Sequence, residues 1–355
     1  MSALDLASRP LTELAGLWHP EGVYLDSATY GLPPEPAWDA LQAALDEWRG
    51  GTGRWEEWSE ATQRARESFA RLVHVPAERV AVGGSVGELF GLVAEAVPDG
   101  TRVLVPEGDF TSLLFPLAVQ AERGVTLVSV PVPELAERLD SSFGAVAFSA
   151  VQSSTGEVAD LDAIEAAAAA AGALTLLDAT HAVGWLPFDA GRFDAVACAA
   201  YKWLMSPRGT AFLALGERFA ERVRPLHANW FAGEEIHESY YGLPLRLSDD
   251  ARRFDTSPAW FSWIGCAAPL ELVESIGVER IHAHDVALAN AFRAGLGLGP
   301  SDSAIVKVAV PDAPARLARA DIRASSRAGS VRAAFHVYNG GADVDAAVAA
   351  LAQAD

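Results

Sequence analysis

Short apolar runs bounded by turn residues alternate with helix-like stretches through the first two-thirds of this chain, and that alternation dictates a layered α/β fold. Val80–Gly83, Arg102–Pro106, Val125–Val132, Ala145–Ser149, Leu174–Asp178 and Ala195–Ala199 read as buried strands. A strand covered on both faces is apolar throughout rather than alternating. Between them, Glu88–Ala96, Leu113–Arg123 and Leu161–Ala171 read as helices, the last closed by Gly172 at its C-cap. Strands joined by helical crossovers pair in parallel, with helices on both faces of the sheet. Thr210–Leu215 follows Lys202 too closely for such a crossover, so it reads as an antiparallel strand entered through Pro207 and Gly209.

Beyond Leu215 the pattern changes. The stretch from Pro225 to Asp255 is rich in aromatics, glycine and charge and reads as loops. A long helix, Trp260 to Gly277, leads to strands at Ala304–Val310 and Val331–Tyr338 and a final helix at Val344–Gln353, the makings of a second, smaller α/β domain. The expected division is residues 1–20 packing on the small domain, 21–262 as the large domain and 263–355 as the small C-terminal domain. A net charge of −20 repels phosphate backbones and anionic lipid, which argues against nucleic-acid and membrane-surface partners. The apolar stretch from Ile164 to Leu177 ends at Asp178 and falls short of the ~20 residues a membrane span needs. The N-terminus has an early acid and no basic region ahead of an apolar block, unlike a secretory signal. With Cys198 and Cys266 its only cysteines, a reducing, cytoplasmic setting is expected.

Lysine occurs only at Lys202 and Lys307; every other basic residue is an arginine. A guanidinium keeps its proton at working pH, whereas an amine can be tuned into a nucleophile. Ligands of open parallel sheets bind beyond the carboxyl ends of the strands. Those ends carry Gly83-Gly84-Ser85-Val86, Asp109-Phe110-Thr111-Ser112, Gln152 to Gly156, Asp178 to His181 and Tyr201-Lys202. Together they supply a Gly-rich turn opening a helix, an aromatic, a side-chain amide, a carboxylate near an imidazole, and a lysine. Pyridoxal 5′-phosphate (PLP) needs that set. Its aldehyde takes a lysine amine, its pyridine nitrogen a carboxylate, its phosphate a helix N-terminus, and its ring an aromatic face.

The same residues resemble the class V aminotransferase group of fold-type I PLP enzymes, which includes cysteine desulfurases, kynureninase, isopenicillin N epimerase and ergothioneine-forming C–S lyases. Tyr24 to Thr29 resembles the family's "YLDNAAT" segment, and Leu177 to Gly184 its "DxxQ/H-A-x-G" element. Tyr201 to Thr210 resembles its lysine loop, Arg253 to Pro258 its "RFExGTP" loop, and Val331 to Asn339 its "VRxSxxxYN" strand. The resemblance implies a seven-stranded, mainly parallel sheet and a homodimer acting on a small amino acid. By it, Lys202 would hold PLP through its amine and move the proton at Cα, while Asp178 would pair with the pyridine nitrogen. His181 and Gln152 would lie near the phenolic oxygen, and Phe110 would stack on the ring. Ser85, the Val86 N–H and Tyr201 would hold phosphate, with Thr256 and Ser257 reaching it across a dimer interface. Arg332 would grip the substrate carboxylate, with Tyr30 as a further substrate contact.

Departures from the family pattern shape the reaction expected. Ala199 stands where the family has a serine or threonine, and Asn339 is followed by Gly340 rather than threonine. The desulfurases' acceptor cysteine has no counterpart between Ala320 and Ser330, and desulfurase chemistry requires that thiolate. The histidine those enzymes stack on the ring is Phe110 here, which leaves the proton work to Lys202. C–S lyase chemistry is therefore expected first, transamination second, and epimerisation or kynureninase-type cleavage third. A non-catalytic PLP-binding protein is the rival from another class. Gly83 to Gly87 does not fit the dinucleotide fingerprint. His282 and His284 point to different faces of a helix, so no metal site is expected.

Overall fold

The computed structural model describes residues 9–327 and 330–352. Seven strands form the main sheet: β2 (Val80–Gly83), β3 (Arg102–Pro106), β4 (Thr126–Val130), β5 (Ala145–Ser149), β6 (Leu174–Asp178), β7 (Ala195–Ala199) and β8 (Ala211–Leu215). They lie in the order β2-β8-β7-β6-β5-β3-β4. Pairing is parallel from β7 through β4, while β8 runs antiparallel to both its neighbours. The carboxyl ends of β5, β6 and β7 therefore share one rim.

Why these runs form central strands is visible in how their side chains divide. Val196, Cys198, Phe212 and Ala214 join the apolar cluster on one face, and Ala195, Ala197, Ala199, Ala211, Leu213 and Leu215 join the cluster on the other. That period of two, with both faces covered, is what an apolar parallel sheet requires. On the first face the helix Trp260–Ile276 packs against the helices Trp55–Leu72 and Glu35–Gly50. Phe69 stacks on Phe212 there with ring centroids 4.3 Å apart. The helices Val86–Ala96 and Thr111–Ala118 cover the second.

A three-stranded antiparallel sheet lies beyond, in the order β11-β12-β9, from β9 (Ile305–Val308), β11 (Ser325–Arg327) and β12 (Ser330–Ala334). The short parallel pair of β1 (Val23–Tyr24) and β10 (Ile322–Arg323) ties the start of the chain to this region. Further back, Leu14 and Trp18 join the large-sheet cluster, and Trp18 packs on Tyr338. Of the expected N-terminal segment 1–20, residues 1–8 lie outside the described residues. The expected division at 262/263 falls inside the helix Trp260–Ile276. Among the described residues no single helix is long and apolar enough to cross a membrane.

Several elements differ in their bounds from the sequence expectation. Val125–Val132 is a strand only over Thr126–Val130, because Pro131 cannot continue a ladder. Leu113–Arg123 starts at Thr111 and changes at Val119 into a 3-10 turn, with Pro116 inside the helix and Gly124 closing the turn at φ 78°. Val331–Tyr338 leaves the sheet after Ala334, where the Asn339 side chain accepts from the His336 N–H and closes a turn. The helices Glu35–Gly50, Trp55–Leu72 and Val278–Gly295 carry too much polar surface to stand out among apolar runs.

One buried ion pair fixes the edge of the main sheet. Arg66, 3% exposed, bonds Asp255 through both terminal nitrogens, at 3.2 and 2.6 Å, and donates to the Val80 carbonyl. Asp255 in turn accepts from the Val82 N–H at 2.8 Å. Removing the arginine strands a carboxylate with no exposure. Arg66→Met should cost about 3–5 kcal/mol, seen as a lowered urea midpoint with an unchanged slope; an unaltered midpoint would show that this pair does not hold the edge.

Candidate active site

Lys202 sits in the connection from β7 to β8, and Asp178 is the last residue of β6, the strand beside β7. Both side chains line one cavity of about 370 Å³ and both are 5% exposed. The lysine loop is tightly folded. Met205 adopts φ 51° so that its N–H returns to the Lys202 carbonyl at 3.0 Å. Gly31 supports the loop from outside by donating to the Tyr201 carbonyl at 2.8 Å. A Cβ at position 31 would lie 2.1 Å from the Lys202 carbonyl oxygen, so only glycine permits this approach.

The cavity's electrostatics follow from desolvation. Burial, aided by Arg332 and Arg208, brings the Lys202 ammonium down from 10.5 to about 7, although the Asp178 carboxylate opposes the shift. Burial likewise raises the Asp178 carboxyl above its ordinary range, restrained by hydrogen bonds from Thr180, whose N–H lies 2.9 Å from Oδ1. His181 touches the Lys202 amine through Nε2, and its Nδ1 is buried without a partner among the described residues. Burial, then Lys202, Arg332 and Arg327, holds this imidazole well below its usual range, so it stays neutral. Trp185 fixes the His181 backbone by donating to its carbonyl at 2.6 Å.

Two helix N-termini reach the same cavity. Ser85 caps the helix Val86–Ala96, accepting from the Glu88 N–H at 3.3 Å, and both Ser85 and Val86 line the wall. Thr111 and Ser112 line it from the start of the helix Thr111–Ala118. First-turn N–H groups have no helical acceptor and suit an anion. Phe110 stands at the mouth, 45% exposed, with its ring centroid 5.7 Å from the Lys202 amine. Asp109 sets that position by accepting from the Phe110 N–H at 2.6 Å and from Ser149.

Arg332 closes the far side. Its guanidinium is 1% exposed and donates to the Ser325 hydroxyl at 3.1 Å, to the Ser153 carbonyl and hydroxyl at 2.6 and 3.2 Å, and to the Thr29 hydroxyl at 2.9 Å. Burial brings it down from 12.5 to about 10, with Arg327 adding to the shift and the Asp26 charge opposing it. An anion in this corner would meet donors already in place.

Of the residues singled out in the sequence, Lys202, Asp178, His181, Ser85, Val86, Phe110, Tyr201 and Arg332 line this cavity. Gln152 does not; its amide donates to Asp109 at 3.2 Å, and Ser153 takes the place at the wall. Tyr30 lines an adjoining apolar cavity of about 310 Å³ with Trp38 and Met205, sharing Thr29, Tyr201 and Arg208 with the first. Thr256 and Ser257 follow Asp255 outside this chain's own cavity. Thr29, Ser153, Thr180 and Arg327 line it without having been singled out. The first three lie inside the strand-end loops and motifs of the sequence, but nothing there distinguished their hydroxyls. Among the described residues no cluster of metal-ligating side chains occurs.

PLP fits this donor set. A buried carboxyl and a buried amine brought down to about 7 share one cavity with an imidazole nitrogen unpartnered among the described residues, a half-exposed aromatic face and two helix N-termini. Cofactor-free protein should take up PLP faster as pH rises through about 7 and level off above it, because the neutral amine is the reacting form. Stopped-flow absorbance would read this. A rate still climbing towards the ordinary lysine value of 10.5 would contradict the desolvated amine.

Comparison with known proteins gives a consistent picture. The family model described as "Aminotransferase class-V" matches residues 23–317. The "Uncharacterized aminotransferase YcbU" of Bacillus subtilis is 26% identical over 323 residues, covering 87% of this chain and 84% of that protein. A protein of Methanothermobacter thermautotrophicus named "Probable cysteine desulfurase" is 25% identical over 297 residues, covering 77% and 72%. Among solved structures, C-DES, with glycine covalently linked to its PLP cofactor, superposes with a TM-score of 0.85 at 19% identity, covering 97% of this chain and 99% of that one. At that identity the likeness establishes the fold.

Proposed function

The chain belongs to the class-V aminotransferase family, whose members are PLP-dependent enzymes acting on amino acids, and on that premise we propose that it is a C–S lyase cleaving a cysteine-derived substrate at Cβ. One observation carries the choice among family reactions. Lys202 stands buried in the cavity as a proton-accepting amine, while no thiol lines that cavity. Both cysteines of the chain are fully buried, and burial raises their thiols, Cys266 to about 12 and Cys198 beyond the usual range. A desulfurase must hand sulfur to a thiolate of its own, whereas a lyase releases the sulfur-bearing group to solution.

When bound, PLP supplies an electron sink for the charge left at Cα. The chain's own residues do the rest. Asp178 would pair with the pyridine nitrogen, the hydrogen bonds from Thr180 opposing the burial that raises its carboxyl. Ser85, the Val86 N–H and Tyr201, all lining the cavity, would hold phosphate, and Phe110 would cover the ring. Arg332 receives the substrate carboxylate, exchanging contacts with the Ser153 and Thr29 hydroxyls for charge-assisted ones. Lys202 takes the Cα proton. The Cβ–S bond then breaks with its electron pair on sulfur, which leaves as a thiolate, and water converts the remaining enamine to a 2-keto acid and ammonia. His181, neutral and against the amine, orients it without competing for the proton. In this reading residues 21–262 bind the cofactor and 263–355 carry Arg332. The working form is a cytoplasmic homodimer in which Thr256 and Ser257 serve the partner's phosphate.

The test is a panel of amino acids and cysteine S-conjugates assayed for pyruvate and ammonia. Product formed with no keto-acid acceptor supports the lyase; strict dependence on an acceptor makes the chain an aminotransferase. Racemised substrate, or cleavage confined to kynurenine-like side chains, would point to the remaining family reactions. Lys202→Ala should lose both turnover and the borohydride-sensitive visible band of the holoenzyme. Arg332→Lys should lower kcat/KM about 10- to 100-fold, chiefly through KM, because an ammonium cannot reproduce the planar fork. A mutant equal to the parent would remove Arg332 from carboxylate binding.

A further inference from the structure

The hairpin of β11 and β12 presents two arginines to the cavity where a monocarboxylic amino acid needs one. Its register pairs Ser325 with Arg332 and Arg327 with Ser330. Residues directly opposite share a face, and the 3.1 Å bond from Arg332 to the Ser325 hydroxyl lies on that face. Arg327, two residues beyond Ser325, returns to the same side. It is the diagonal neighbour of Arg332, a position about 7–8 Å away along an antiparallel pair. Both residues line the cavity.

Among the described residues their hydrogen-bond partners are uncharged. Arg327 donates to the Ser326 carbonyl, and Arg332 to the oxygens of Ser325, Ser153 and Thr29. The third arginine of the wall, Arg208, lies over the Tyr201 ring at 4.3 Å, on the lysine loop rather than the hairpin. Asp178 is the one carboxylate lining the cavity among the described residues, although the chain as a whole carries a net charge of −20. Burial lowers the Arg332 guanidinium, and the nearby Arg327 adds to that shift against the opposing Asp26 charge.

Resting on the lyase reading above, we propose that the substrate carries a second carboxylate beyond Cβ and that Arg327 receives it while Arg332 holds the α-carboxylate. The substrate class is an S-conjugate of cysteine whose leaving group bears an acid. Arg327 is exposed, so the distal acid sits at the mouth and leaves with the thiolate.

The holoenzyme and its Arg327→Gln and Arg327→Lys variants test this with two readouts. In the first, kcat/KM is compared for S-(carboxymethyl)cysteine and S-ethylcysteine. The parent should prefer the acid about tenfold, between the yield of a surface pair and that of a buried charge-assisted bond. Arg327→Gln should bring the ratio close to one through KM, and Arg327→Lys should restore part of it. In the second, calorimetry compares succinate with butyrate as non-reacting ligands. Succinate should bind more tightly to the parent only, the difference shrinking in Arg327→Gln. Turnover of both conjugates without preference, together with equal binding of the two acids, overturns the assignment while leaving the lyase intact. Tighter succinate binding that depends on Arg327, in an enzyme that cleaves no conjugate, supports the second carboxylate and overturns the lyase instead.

Discussion

Desolvation of a single amine governs this structure. An ammonium group beside a carboxylate in water would keep its proton to high pH, and Lys202 would then be an inert cation. Enclosed beneath the strand ends, it loses more hydration than the Asp178 charge returns, and the balance falls near neutrality. No arginine can be brought to that balance, which gives a physical reason for a chain so poor in lysine to keep one here. The nearby guanidiniums of Arg332 and Arg208 act in the same direction as burial.

Holding an uncharged amine at a fixed place needs a rigid floor, and the main sheet supplies it. Parallel β6 and β7 end side by side, so Asp178 and the lysine loop start from adjacent positions. The reversed β8 lets that loop stay short, and Gly31 lets a second backbone brace it. Arg66 and Asp255 do for the sheet edge what Asp109 does for Phe110. In each case a carboxylate buried among backbone N–H groups pins a loop whose neighbours carry the chemistry. The cofactor site thus depends on charges that never touch the substrate.

Much of this was legible in the residue order, for identifiable reasons. Buried strands write themselves as uninterrupted apolar runs, and five of the six first read in that way carry the expected bounds. The residues at their carboxyl ends inherit a common rim from topology alone, which is why Lys202, Asp178, His181 and Ser85 meet at one cavity. Side-chain direction within a loop has no such rule. Gln152 and Ser153 are neighbours, yet Asp109 captures the amide of the first and the cavity wall falls to the second. Arg327 was invisible for another reason. In a sequence where nearly every cation is an arginine, only the hairpin register distinguishes one that faces a cavity from one that faces water.

The contrast between the surface and the cavity follows from the same electrostatics. An excess of acids over the molecule repels anions at long range, an effect that solvent screens within about 10 Å at ordinary salt. Inside a low-dielectric cavity, fixed cations act with far less screening and determine which anion stays. Arg208, Arg327, Arg332 and the first-turn N–H groups of two helices create such a local reversal, with Asp178 alone opposing it. Arg208, Arg327 and Arg332 carry guanidiniums, the side chain suited to fixed recognition of a carboxylate. The group that burial brings to about 7 is the amine that must react, so binding and proton transfer are assigned to different chemistries within a single cavity.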